Sequence, residues 1–272
     1  MTTAAITPPS RAGASYATTA AGLAKRTLLQ FFRTPQILFM GTIQGALFLF
    51  MFRYVFGGAI RMDNGLKYVD FLVPGFLVSS ILWTGMSAAA GVAEDATTGL
   101  YDRIRSLPVP RSAVIVGRSL ADTTLLAWSI LITGIIGWLV GFRPHSSAGS
   151  VLAGFVVILM GGWAFSWIFI FIGLVAKNAQ AAQGMTMITI PFSFISSANV
   201  PVKTMPGWMQ PFAANQPITV LCNASRSLMQ GGAQRVGLAH STGYWVVLAV
   251  VWCAGITALA LPLCARRFGR RR

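Results

Sequence analysis

The sequence predicts an all-α membrane protein: six transmembrane helices, an N-terminal amphipathic interfacial helix before them, and short re-entrant or interfacial helices before the last span. Three observations predict it. Of 272 residues, 55% are hydrophobic and 10% charged, with mean hydropathy +0.67, whereas a soluble domain carries about 25% charged residues. Six apolar runs approach the roughly 20 residues with which a helix crosses a hydrocarbon core of ~30 Å. Lys and Arg fall mainly between those runs and at the chain ends.

Residues 1–20 are rich in Ala, Thr, Ser and Pro, offer little apolar surface to bury and are expected to be disordered. They lack a basic start followed by a compact apolar stretch, so no cleavable signal peptide is expected. Residues 23–32 set apolar positions against Lys25, Arg26 and, just beyond, Arg33, as a basic amphipathic helix in the interface would. Thr34 and Pro35 break that pattern. Spans are then expected at 36–55, 69–92, 120–141, 151–176, 184–199 and 244–264. The fifth is the weakest, because Pro191 falls within it and its Thr and Ser content is high. Residues 201–241 contain Pro201, Pro206, Pro211 and Pro217, too many breaks for a span, and fit interfacial or re-entrant helices with Trp208 at the headgroup boundary. The length predicts one membrane domain without a nucleotide-binding domain beside it.

The formal net charge is +15. In a soluble chain that would point to nucleic acid. Here the basic residues flank spans, where they favour anionic lipid headgroups, so membrane lipid is the expected partner and nucleic acid is not. With the N-terminus inside, fourteen of the 21 Lys and Arg lie in inner segments and seven outside or at outer ends. That asymmetry places both termini in the cytoplasm.

No residue set suits catalysis. His145 and His240 fall in outer loops away from carboxylates and cysteines. Cys222, Cys253 and Cys264 form no CxxC and are odd in number, which supports neither a disulfide framework nor a metal site. GxSxG, HExxH and GxxxxGK[ST] are all missing, so the chain is expected not to be an enzyme by itself and to bind no cofactor. Asp122 lies inside a predicted span near its inner end. A charge at mid-bilayer costs roughly 2.5–3.5 kcal/mol on insertion scales, and Arg118 is one turn away. A structural ion pair and a proton-coupling carboxylate both remain open. The spans otherwise present Gln44, Gln183, Thr186, Ser193, Ser196 and Asn199, a lining suited to a bulky, largely apolar solute. Gly41 with Gly45, and Gly137 with Gly141, form GxxxG pairs that fit either intrachain packing or a dimer face. A self-sufficient channel or ion-coupled transporter is the alternative reading at this stage, although ion coupling usually needs several buried ionisable groups.

The most polar stretch of the first two-thirds is 94–122, with four of the six acidic residues and four of the basic ones. It contains an apolar stripe, Leu100, Ile104 and Leu107, flanked by Asp102, Arg103 and Arg105, which predicts a short amphipathic helix over 97–107. Pro108 and Pro110 end it. Two readings fit such a helix: a solvated segment resting on lipid headgroups, or a docking element for a cytoplasmic partner.

This stretch resembles the signature loop of the permease subunits of type 2 ABC exporters, especially those like the daunorubicin-resistance permeases. The likeness runs through Glu94-Asp95, Gly99, Asp102-Arg103, Arg105-Ser106-Leu107-Pro108, Arg111, Gly117-Arg118 and Ala121-Asp122. A second match is Ser196-Ser197, Val200-Pro201, Thr204-Met205-Pro206-Gly207-Trp208, Gln216-Pro217 and Arg226. A weaker third is Tyr68, Phe71, Pro74 and Gly75. The resemblance implies a six-span permease domain over 21–264, with an outer-leaflet region at 201–241 and a basic cytoplasmic tail at 265–272. It implies a plasma-membrane exporter of a lipophilic drug or lipid-like solute, working as a homo- or heterodimer with the solute path near the subunit interface. A separate ABC ATPase, holding ATP and Mg, would bind a coupling loop within 94–118 at Glu94, Asp95, Gly99, Leu100, Asp102, Arg103, Ile104, Arg105, Leu107, Pro108 and Arg111.

Overall fold

The computed structural model describes residues 15–33, 45–57 and 65–269. Its helices are α1 (Tyr16–Phe32), α2 (Gly45–Val55), α3 (Tyr68–Thr97), α4 (Leu100–Arg105), α5 (Arg111–Leu139), α6 (Ala148–Val175), α7 (Ala179–Thr186), α8 (Thr189–Phe194), α9 (Gln210–Asn215), α10 (Pro217–Met229) and α11 (Thr242–Gly269). A π-helical turn over Phe52–Phe56 closes α2, and a 3-10 turn covers Val202–Thr204.

Among the described residues, four helices are long and apolar enough to cross a membrane: α3, α5 from Ser112, α6 and α11. They correspond to the second, third, fourth and sixth expected runs. Of the first run, α2 supplies residues 45–55, while 36–44, with Gln44 and Gly41, lie outside the described residues. The helix expected at 23–32 begins earlier, at Tyr16, where Ser15 caps it by accepting from Thr18 N. Residues 16–20 are therefore helical, contrary to the disorder expected of them; 1–14 and 270–272 lie outside the described residues. Nor does α1 stand apart from the spans. It packs along α5, with Phe32 edge-on to Trp128 and Ala20 so close to Gly117 that a Cβ there would meet Ala20 O at 2.4 Å.

α6 is apolar on every face, the pattern of a helix enclosed by others. It packs against α3, α5, α10 and α11. Its closest approaches are at glycines. A Cβ on Gly173 would lie 2.5 Å from Ala89 O of α3, and one on Gly85 of α3 would strike the Phe169 ring at 2.1 Å. Gly137 meets Val73 in the same way, at 2.8 Å, so that glycine of the GxxxG pair serves packing within the chain. α3, α6 and α11 run in one direction and α5 returns, which leaves an α4 end and an opposite end where α10 closes the bundle.

The fifth expected span is not one helix. The chain does travel back from the α4 end to the opposite end over 179–199, but as α7 and α8 broken at 187–188. The cause is Pro191. It has no N–H to offer Met187 O, four residues earlier, and that carbonyl instead accepts from Ile190 N at 3.0 Å, a tighter turn than an α-helix makes. The region 201–241 forms short helices, as expected of it. α9 and α10 each carry proline in their first turn, where it needs no partner, and α10 is almost wholly buried.

Candidate functional site

The junction of α3, α4 and α5 holds most of the residues singled out from sequence. Thr98 ends α3, and Gly99 follows with φ 72. That left-handed conformation costs a residue with a side chain roughly 1–2 kcal/mol, so glycine is the natural helix terminator here. The helix expected over 97–107 is thereby split. Thr97 belongs to α3, α4 is only Leu100–Arg105, and Leu107 and Pro108 lie in the connection to α5. Glu94 and Asp95 are the last turn of α3, and Arg111 and Arg118 sit in the first turns of α5.

The most deeply buried side chain of α4 lies off the apolar stripe, although Ile104 of the stripe packs against the same cluster. Leu100 and Ile104 are half-buried and Leu107 is 57% exposed, whereas Tyr101 is 8% exposed. Tyr101 enters a pocket made by Val114 and Ile115 of α5, Ile170 and Leu174 of α6 and Phe268 of α11. Its ring meets that of Phe268 edge-on, 5.3 Å between centroids, a preferred aromatic geometry. Burial pushes the Tyr101 phenol above its ordinary range, with the Arg118 guanidinium opposing the shift. Glu94, Asp102, Arg103, Leu107 and Pro108 are exposed around this anchored ring.

Beside Tyr101 the expected Arg118–Asp122 pair is present and larger than expected. Arg118 Nε donates to Asp122 Oδ1 at 3.1 Å, Nη1 to Asp95 Oδ2 at 3.1 Å and Nη2 to Ala88 O at 3.2 Å. Arg26 of α1 donates to the other Asp95 oxygen at 3.1 Å. One guanidinium thus ties α3 to α5, and Asp95 adds α1. Asp95, which the resemblance places in the coupling loop, is 8% exposed and occupied on both oxygens within the chain. A cavity of about 10 Å³, lined in part by Thr84, Asp122 and Ser166, lies next to the pair. It has room for about one water.

At the opposite end, two buried polar residues tie the end of α10 to α3. Arg226, which belongs to the second matched stretch and is one of the seven cations counted outside or at outer ends, is 0% exposed. Its Nε donates to Phe71 O and its Nη2 to Ser197 O, each at 2.9 Å, and its guanidinium stacks on the Phe71 ring at 3.6 Å. Gln230, one turn on, donates to Asp70 O at 3.2 Å. Pro74 is the reason: lacking an N–H, it leaves Asp70 O without its helical donor, and α10 supplies one. Asp70 is a second acidic residue inside an apolar run, 2% exposed, its carboxylate accepting from Arg143 N at 2.9 Å. The i−4 position of a proline within a span was a legible signal; the identity of the donor was not.

The residues proposed for a solute path differ in burial. Thr186, Ser193 and Asn199 are buried, with Thr186 bonded to Gln183 O, Ser193 to Ser79, and Asn199 O to the Tyr68 hydroxyl. Gln183 is exposed, and Gln44 lies outside the described residues. His145 and His240 are exposed, as expected; His145 Nδ1 bonds Gln230 Oε1 at 2.9 Å. Cys222, Cys253 and Cys264 are buried free thiols.

The arrangement is a short helix pinned to three spans by one ring and flanked by a buried ion network, with a polar exposed face. Residues 20–229 match the ABC-2 type transporter family. The chain is 32% identical over 245 residues to the daunorubicin resistance ABC transporter permease protein of Streptomyces coeruleorubidus, covering 89% of this chain and 83% of that one. It is 25% identical over 224 residues to a probable doxorubicin resistance ABC transporter permease protein of Mycobacterium tuberculosis, covering 80% and 76%. A putative transport permease of Porphyra purpurea is 25% identical over 202 residues, covering 72% and 69%.

Proposed function

The chain belongs to the ABC-2 type transporter family, a multi-pass permease that works with an ATPase subunit, and on that premise we propose that it is the membrane subunit of an exporter for a lipophilic drug or lipid-like solute. ATP and Mg belong to the partner. α4 is the docking element, the α4 end faces the cytoplasm, and both termini lie there in the plasma membrane. α2 with its preceding residues and the broken α7–α8 segment complete six crossings. Relatives named for daunorubicin and doxorubicin resistance support a bulky, mostly apolar solute. A second permease subunit, identical or not, would complete the solute path. Exposed apolar side chains on α2, on α8 and at the break before it, among them Leu47, Tyr54, Met187, Ile188 and Phe194, support contact with lipid or that subunit.

One observation carries the docking assignment. α4 is held by Tyr101 while Asp102 and Arg103 project from its other side, so a partner can meet charge on a helix that cannot swing freely. Arginine suits such a contact because its planar fork pairs with carboxylates in fixed geometry. Charge reversal of Arg103 and Arg105 together is expected to abolish co-purification of the ATPase and drug efflux while the variant still inserts in the membrane. Unchanged pull-down with unchanged efflux would reject the docking role.

A further inference from the structure

The permease reading gives α4 a partner but does not say which contact passes motion from α4 into the spans. Its covalent links are poor candidates. On one side is Gly99, in a conformation that permits hinge motion, and on the other is the exposed connection through Leu107 and Pro108. Among the α4 side chains described, Tyr101 alone is buried. The pocket that receives it comes from α5, α6 and α11.

The far wall of that pocket is itself fixed. Phe268 is 1% exposed at the end of α11, and one turn earlier Cys264, fully buried, donates its thiol to Trp167 O of α6 at 3.1 Å. The near wall includes Arg118, whose guanidinium already joins α3 and α5. A ring moved by α4 therefore pushes on a wall that spans three helices, one of them the last of the chain. Close-packed interiors transmit displacement because they compress little.

From this we infer that Tyr101 is the positioning residue through which the coupling helix acts on the spans, and that its contact with Phe268 carries the stroke directly to α11. The inference rests on the permease reading. It assigns the last span, and not only α3 and α5, a part in each transport cycle. The aromatic ring does this; the hydroxyl is not required.

The test uses inside-out vesicles containing the full chain with the ATPase that co-purifies with it, and daunorubicin as the probe. Five chains are compared: wild type, Tyr101→Phe, Tyr101→Ala, Phe268→Ala and the double variant Tyr101→Ala with Phe268→Ala. ATP-dependent uptake is expressed per assembled complex. Tyr101→Phe is expected to match wild type. Tyr101→Ala and Phe268→Ala are each expected to lose at least tenfold in uptake per complex while ATPase co-purification stays at wild-type level. The double variant should be no worse than either single one, because residues acting as a unit are not additive. A merely structural role would lower the amount of complex and leave uptake per complex unchanged, and that result overturns the inference. Wild-type uptake in both alanine variants overturns it as well. Should Tyr101→Ala fail to accumulate, Phe268→Leu reads the same contact with a smaller change of shape, and wild-type uptake per complex there overturns it equally. A wild-type chain that neither holds an ATPase nor takes up daunorubicin overturns the permease reading, and the inference with it.

Discussion

Replacing Arg118 by Met removes the centre of the α3–α5 network and leaves the volume nearly filled. Asp95 keeps Arg26 at 3.1 Å, but Asp122, 4% exposed, keeps no ion pair among the described residues. Removing one partner of a buried pair costs about 3–5 kcal/mol, mostly the penalty of the charge left behind. At roughly 2–4 °C per kcal/mol for a chain of this size, the unfolding midpoint should fall by about 6–20 °C. Tryptophan emission of detergent-purified protein reads it, since the chain has eight tryptophans. The companion variant Arg118→Met with Asp122→Leu removes both charges. It should recover to within about 1–2 kcal/mol of wild type, because well-packed apolar pairs replace buried ion pairs at little cost. A single variant as stable as wild type would mean that Asp122 was not held by Arg118. A double variant less stable than the single would mean that the pair's removal, rather than the orphaned charge, sets the cost. Either outcome refutes the reasoning.

Arg226→Lys keeps the charge but gives up the planar fork that reaches both Phe71 O and Ser197 O. One buried carbonyl then loses its donor, and with the weakened stacking on Phe71 the expected loss is about 2–4 kcal/mol in the same thermal assay. No measurable change would show that lysine satisfies the site as well. Asp122→Asn retains an acceptor for Arg118, which also keeps Asp95. Daunorubicin transport by the assembled complex is expected to stay within about twofold of wild type; complete loss with normal expression would instead indicate a proton-coupling carboxylate.

Much of the fold was legible because hydropathy and proline act locally. Four of the expected runs are single helices, and Pro191 marked the run that is not. Arg118 and Asp122 were legible as a pair because four residues along a helix are neighbours. The partners that complete the network were not. Arg26 is 69 residues from Asp95 in the chain, and nothing in either local pattern records the other. The burial of Tyr101 beside the apolar stripe was not legible for a related reason. Periodicity shows that a helix has an oily face, but only the neighbours decide which side chain that face buries.

The sequence by itself determined that this is a helical membrane chain, where most of its spans fall and where the polar turn between two of them lies, since each depends on residues within one helix length. Only the tertiary structure decided that α4 is keyed by Tyr101, that Asp95 faces inward and that Arg226 closes the far end of the bundle. Tyr101 takes its place from Phe268, at the other end of the chain. Arg226 takes its place from carbonyls on α3 and before α9, 155 and 29 residues away. An arginine or tyrosine is amphiphilic enough for either surface or core, and the choice is made by whichever distant groups can satisfy its polar atoms while burying the rest.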